Sequence, residues 1–188
     1  MSRFTITETG IKGLRVVERQ RLGDTRGFLS RLFCAEELAH AGWRKPIAQI
    51  NHTWTRTQGT VRGMHFQHPP HAEMKLVTCL RGAVWDVGLD LRADSPTFLK
   101  WRAVELSVGN GRALLIPEGF AHGFQALTDD CELLYLHTAP YVAQAEAGFL
   151  ASDPALEIEW PLSITQQSER DQRHPKVSPA FTGLDLNS

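Results

Sequence analysis

The chain lacks any segment suited to a membrane-spanning helix. No segment reaches the roughly 18 consecutive apolar residues of a spanning helix, and "MSRFTITETGIKGLRVVE" at the start has neither an apolar leader core nor a cleavage site. A cytoplasmic location is the resulting expectation. Charge of one sign is equally scarce: 20 Lys and Arg face 21 Asp and Glu, a formal net charge of −1. The basic excess of a nucleic-acid-binding protein is missing, so any contact with a polyanion has to be local. Cysteine is sparse and odd in number. Cys34, Cys79 and Cys131 lie far apart in apolar settings such as "LVTCL", which predicts reduced packing residues rather than a disulfide framework or a CxxC metal site. Repeats, low-complexity runs and linkers are also lacking.

What is present is β structure. From Gly59 to about Tyr141 the sequence breaks into short runs punctuated by Gly, Pro and Asn, including "TVRGMHFQ", "MKLVTCLRG", "AVWDVGLDLR", "RALLIPEG" and "CELLYLHTAPY". That spacing predicts a mostly β fold, a sandwich or barrel. In residues 83–92, Ala83, Trp85, Val87, Leu89 and Leu91 alternate with Val84, Asp86, Gly88, Asp90 and Arg92, which predicts a strand with one core face and one polar face. Helical signal is confined to residues 35–43 and a turn around 168–174. The 188 residues suit a single domain spanning 1–188, with the proline-rich, polar stretch from about 154 to 188 wrapping over the barrel.

The densest chemistry is in "RGMHFQHPPHAEMK", residues 62–75, with three histidines, an arginine, a lysine and a glutamate. Strict alternation would put Arg62 and His65 on opposite faces; a bulge at Gly63 would re-aim one of them. Glu73 and Lys75 share a face. A second landmark, "GRALLIPEGFAHGF" (111–124), has the form G-x5-P-x-G-x2-H, whose turn presents His122 at a strand start. It resembles the second motif of the cupin superfamily, small barrels of the jelly-roll type. The first cupin motif is imperfect, because Gln67 stands where its second histidine would be.

Two chemistries follow from these residues. Metal binding by His65, Glu73 and His122 is one imidazole short and ranks second. In the first-ranked, metal-free reading His65 is a general base, oriented by a carboxylate for which Asp171 and Asp86 are both candidates. Lys75, Arg62 and His122 supply donors for an oxyanion or a phosphate. The two tyrosines of the chain, Tyr135 and Tyr141, offer a phenolic acid opposite the base. These groups describe a site for enolising a carbonyl compound.

At this level of detail the chain closely resembles the dTDP-4-dehydrorhamnose 3,5-epimerase family, the RmlC-like cupins. The likeness runs from about Gly10 to Asp171 through "DTRGF", "QIN", "GTVRGMHFQ", "KLV", "DVGLDLR", "SPTF", "IPEGFAHGF", "DP", "WP" and "SERD". The resemblance implies a 3,5-epimerase, or a 3- or 5-epimerase, acting on a nucleoside-diphosphate 4-keto-6-deoxy sugar, dTDP-linked by preference. It implies no metal or organic cofactor. By the same resemblance His65 is the base, Asp171 its partner, Tyr135 the acid and Lys75 the enolate-stabilising group. Substrate binding falls to Arg26, Arg31, Gln49, Asn51, Arg62, His122, Tyr141 and Glu146. Arg31 stands where the family often carries a nucleotide-binding glutamate, and Tyr135-Leu136-His137-Thr138 replaces Tyr-Lys-Thr-Thr. The family forms homodimers in which N-terminal strands, here within about residues 1–50, cross between subunits. A metal-dependent cupin oxygenase or isomerase and a non-catalytic sugar-nucleotide-binding cupin are the rival readings.

Overall fold

A computed structural model describes residues 2–186. In chain order the strands are β1 (Phe4–Glu8), β2 (Arg15–Arg19), β3 (Arg21–Asp24), β4 (Gly27–Ser30), β5 (Gln49–Thr55), β6 (Val61–Gln67) and β7 (Lys75–Arg81). There follow β8 (Ala83–Asp90), β9 (Trp101–Ser107), β10 (Arg112–Ile116), β11 (Phe120–Ala126), β12 (Cys131–His137) and β13 (Glu146–Gly148). Two short helices, α1 (Ala35–Ala39) and α2 (Glu169–Gln172), occupy the two regions with helical signal. One sheet has the order β1-β2-β10-β7-β12-β5, the other β13-β6-β11-β8-β9, and β3-β4 is a separate hairpin. The pairings within named strands are antiparallel, as the short turn-punctuated runs require.

Apolar residues fill three layers. Between the sheets lie Leu14, Val77, Leu106, Leu114, Phe124 and Leu133. Outside the six-stranded sheet, Leu38 of α1 and Trp43 cover Leu76, Leu115 and Leu136. Outside the five-stranded sheet, Trp160, Ile164, Phe181 and Leu184 of the C-terminal segment cover Val87, Leu89 and Met64. The wrapping segment is thus part of the core, anchored by Trp160 Nε1 donating to the Ala151 carbonyl at 2.8 Å. Strand β8 has no solvent face: Val84 and Asp86 point between the sheets while Val87 and Leu89 are buried under the C-terminal segment. Asp86 and Asp90 are fully buried and paired, to His122 and Arg92.

The inward faces show how the site arises. Along β7 they run Lys75, Val77, Cys79; along β11, His122 then Phe124; along β12, His137, Tyr135, then Leu133 and Cys131. In each strand the polar residues sit at one end and the apolar ones at the other. The register places Tyr135 beside Val77 and His122 beside His65, so the apolar ends merge into the core and the polar ends line one cavity. Cys79 and Cys131 are free and buried at the core end, and burial, then the neighbouring Cys131, pushes the Cys79 thiol up to about 12. They are packing residues.

Candidate active site

The cavity is about 300 Å³, near the lower end for ligand-binding clefts. It is lined from β5 by Gln49 and Asn51, from β6 by Arg62 and His65, from β7 by Lys75, and from β11 and β12 by His122 and Tyr135. Tyr141, Glu146 and Arg170 form the rim. Arg62 and His65 reach the same cavity because β6 is irregular: the β6–β11 register shifts between His122 and Phe124. Gly63 makes the shift possible. At φ +136° it lies so close to β11 that a Cβ would come within 2.5 Å of the Gly123 Cα.

His65 is held by Asp171, whose Oδ1 lies 2.8 Å from Nε2, leaving Nδ1 as the ring's other nitrogen. Asp171 is buried on α2, where Ser168 caps the helix by accepting from the Asp171 amide at 3.0 Å. Its second oxygen accepts from the Gly63 amide at 3.3 Å. Burial alone would raise the Asp171 carboxyl; its contacts with His65, Gly63 and Ser168 outweigh that and hold it below the usual carboxylate range. A carboxylate that stays ionised fixes the ring orientation and stabilises imidazolium. Of the two candidate carboxylates, Asp171 is the one bonded to His65. Asp86 is taken by His122, 2.8 Å away on the neighbouring strand.

Glu73 Oε1 lies 2.9 Å from Lys75 Nζ, as their shared face predicts, and Glu73 Oε2 accepts from Gln67 Nε2 at 2.8 Å. Gln67 also donates to the His71 and Pro140 carbonyls at 3.0 and 3.2 Å and accepts from the Val142 amide at 2.7 Å. This explains the amide in place of an imidazole: it clamps the loop before β7 to the loop after β12, using donor and acceptor together. With Gln67 and Glu73 so engaged, and His122 turned to Asp86, the residues of the second-ranked metal set do not converge. The set of three metal-ligand side chains that does converge among the described residues is His65, Asp171 and His174.

Tyr135 projects into the cavity at the edge of the core, stacked on His137 with ring centroids 6.1 Å apart. Burial pushes its phenol above the usual range, so it carries its proton at neutral pH. His137, depressed to about 4 by burial and then by Lys75, is neutral there and sits 3.4 Å from Asn51 Nδ2. Tyr141 lies beyond the end of β12, its hydroxyl donating to Glu146 at 2.7 Å. Sequence reasoning missed Arg170, which bonds Glu146 at 2.8 Å from the rim; its place in "SERD" beside Asp171 was the available signal. It also missed Thr53 and His137 as lining residues.

Two anticipated residues do not reach this cavity within the chain. Arg26, at the tip of the β3-β4 hairpin, pairs with Asp24 at 2.5 Å, its side chain 88% exposed. Arg31 pairs with Glu37 of α1. Intrachain, both are surface ion pairs of small energetic value.

The family model for dTDP-4-dehydrorhamnose 3,5-epimerase matches residues 8–178. The chain belongs to this family. It is 42% identical over 169 residues to the dTDP-4-dehydrorhamnose 3,5-epimerase of Shigella flexneri, covering 89% of this chain and 93% of that one. The Bacillus anthracis enzyme, solved with TDP and PPi bound, superposes with a TM-score of 0.90 at 37% identity, covering 93% and 99% of the two chains. The Legionella pneumophila enzyme in complex with dTDP-4-keto-L-rhamnose gives 0.88 at 36% identity, covering 92% of each. As a member of the dTDP-4-dehydrorhamnose 3,5-epimerase family the protein is a carbohydrate epimerase with the β-sandwich fold of its relatives. None of its described helices is long and apolar enough to cross a membrane.

Proposed function

We propose that the epimerase takes a dTDP-linked 4-keto-6-deoxy hexose and inverts it at carbon alpha to the ketone, at C3, C5 or both. The observation that carries this reading is the His65–Asp171 pair facing Lys75 and a protonated Tyr135 across one cavity. His65 Nδ1 removes the alpha proton, and Asp171 stabilises the imidazolium that forms. Removing so weak an acid's proton requires the C4 oxygen to be neutralised as it gains charge. Lys75 does so, with donors such as His122 nearby. Tyr135 then delivers a proton from the other face, and the centre is inverted. Arg62 and Arg170 bring positive charge to the cavity for the diphosphate, while Gln49, Asn51, Tyr141 and Glu146 border the sugar and nucleoside.

Proton NMR of dTDP-4-keto-6-deoxyglucose in D2O tests both halves of this scheme. With the native protein the C3 signal, the C5 signal or both decay. With Tyr135→Phe the same signals continue to decay while inverted product falls by about 10² or more. No exchange at either carbon with the native protein rejects the enolisation reading, and unimpaired inversion by the variant rejects Tyr135 as the acid.

The reading extends to a cytoplasmic homodimer, in keeping with the free cysteines. Among the described residues the β3-β4 hairpin pairs with no other strand; it exposes Phe28 at 59% and Leu29 at 72%, and edge strand β5 exposes Ile50 at 59%. Joining these surfaces between two chains would bury them and carry Arg26 towards the partner's diphosphate. Light scattering is expected to give the mass of two chains, and Arg26→Ala to raise KM about tenfold with kcat little changed. A monomer at micromolar concentration, or an unaltered KM, would dismiss the crossover.

A further inference from the structure

His174 has no part in the reaction as derived, yet the fold makes room for it beside the base. Its ring stands edge-on to His65 with centroids 5.5 Å apart, and its Nε2 lies 3.8 Å from Asp171 Oδ1, the oxygen that also holds His65. The room comes from Gly148, which pairs with His65 across β13 and β6; a Cβ there would come within 2.7 Å of His174 Cε1 and Nε2. That nitrogen is buried and has no hydrogen-bond partner among the described residues. A buried polar atom left in this way calls for an explanation, an ion among them.

We propose that His65, Asp171 and His174 bind one divalent transition-metal ion of the zinc class, and that an ion held there switches the base off. The three donor atoms lie within 4.8 Å of one another. Zinc with bonds of about 2.0–2.2 Å in tetrahedral geometry needs donors roughly 3.3–3.6 Å apart. The observed 2.8 Å from His65 to Asp171 and 3.8 Å from Asp171 to His174 bracket that spacing. Two imidazoles and one carboxylate suit zinc. Arg170, with Nε 3.9 Å from Asp171 Oδ1, opposes a cation, but its charge is also paired with Glu146 at 2.8 Å.

The inhibition follows from the bookkeeping of one proton. A neutral His65 carries its proton on Nε2 when it donates to Asp171. An ion on Nε2 requires that proton to move to Nδ1, with no net release, and Nδ1 then lacks the lone pair that accepts the substrate proton.

This inference rests on His65 being the base, but binding can be read without activity. Chelator-treated protein is titrated with Zn2+ by calorimetry and with Co2+ by visible absorption, and H/D exchange into the keto sugar is followed in parallel. The native protein is expected to bind one ion per chain, to give a cobalt spectrum of nitrogen ligation, and to lose exchange until chelator is added. His174→Ala and His174→Leu are expected to keep most metal-free exchange, bind zinc roughly tenfold more weakly or worse, and resist inhibition. No ion bound to the native protein at millimolar zinc, zinc bound without inhibition, or variants bound and inhibited as strongly as the native chain would each overturn the site. The cobalt spectrum of the native protein decides the matter even if both variants fail to fold.

Discussion

Replacing His65 with asparagine is expected to lower turnover by about 10³-fold or more while leaving the thermal midpoint close to that of the native protein. His65 is three-quarters covered but lies at the cavity wall rather than in any apolar cluster, so its loss removes chemistry before it removes packing. Asp171→Asn is expected to cost about 10² or more for a different reason. Asp171 accepts from two N–H groups, His65 Nε2 and the Gly63 amide, through separate oxygens. An asparagine has one oxygen to offer. If it keeps the Gly63 contact, its NH2 faces Nε2, drives the ring proton to Nδ1 and removes the lone pair needed by the base. Exchange at C3 and C5 measured under single-turnover conditions, alongside a melting curve, reads both effects. A His65→Asn protein that exchanges protons at the native rate would end the assignment of the base.

Lys75→Met is expected to do two separable kinds of damage. Losing the donor at the C4 oxygen costs roughly 3–4 kcal/mol of barrier, a fall of about 10²–10³ in kcat. It also strands Glu73, whose side chain is only 6% exposed and would keep Gln67 alone as a side-chain partner. A buried carboxylate that loses its partner destabilises by about 3–5 kcal/mol. The double variant Lys75→Met with Glu73→Gln removes the stranded charge while retaining an oxygen for Gln67, so the urea midpoint should recover most of the loss. Turnover should not recover with it. Near-native kcat in either variant would remove Lys75 from the mechanism, and an unrecovered midpoint would show that the pair contributes through packing rather than charge.

The contrast between Asp171 and Asp86 shows what could be read in advance. Both carboxylates were visible in the sequence and both were chemically suitable for His65. Period two assigns a residue to a face, but it does not say which strands become neighbours. Strand β11 lies between β6 and β8, so His122 faces His65 on one side and reaches Asp86 on the other. The partner left for His65 comes from a four-residue helix 106 positions away. A similar limit applied to β8, whose apolar face is covered by the C-terminal segment, and to Gln67, which joins the loop that follows it to residues 140 and 142 of a loop more than 70 positions away.

By itself the sequence determined the β-rich class, the glycine-marked irregularity in β6, and four of the polar residues that line the cavity: His65, Lys75, His122 and Tyr135. These are local facts, written in spacing and in side-chain type, and the motifs in their order were enough to indicate the family. Only the tertiary structure decided which acid holds which base, that Arg170 joins the rim, that Arg26 and Arg31 stay outside this chain's own cavity, and that His174 stands against the dyad. Those outcomes depend on pairings between residues far apart in the chain. They are fixed by burial of the three apolar layers, which sets strand order and register, and the polar ends are carried into position with them.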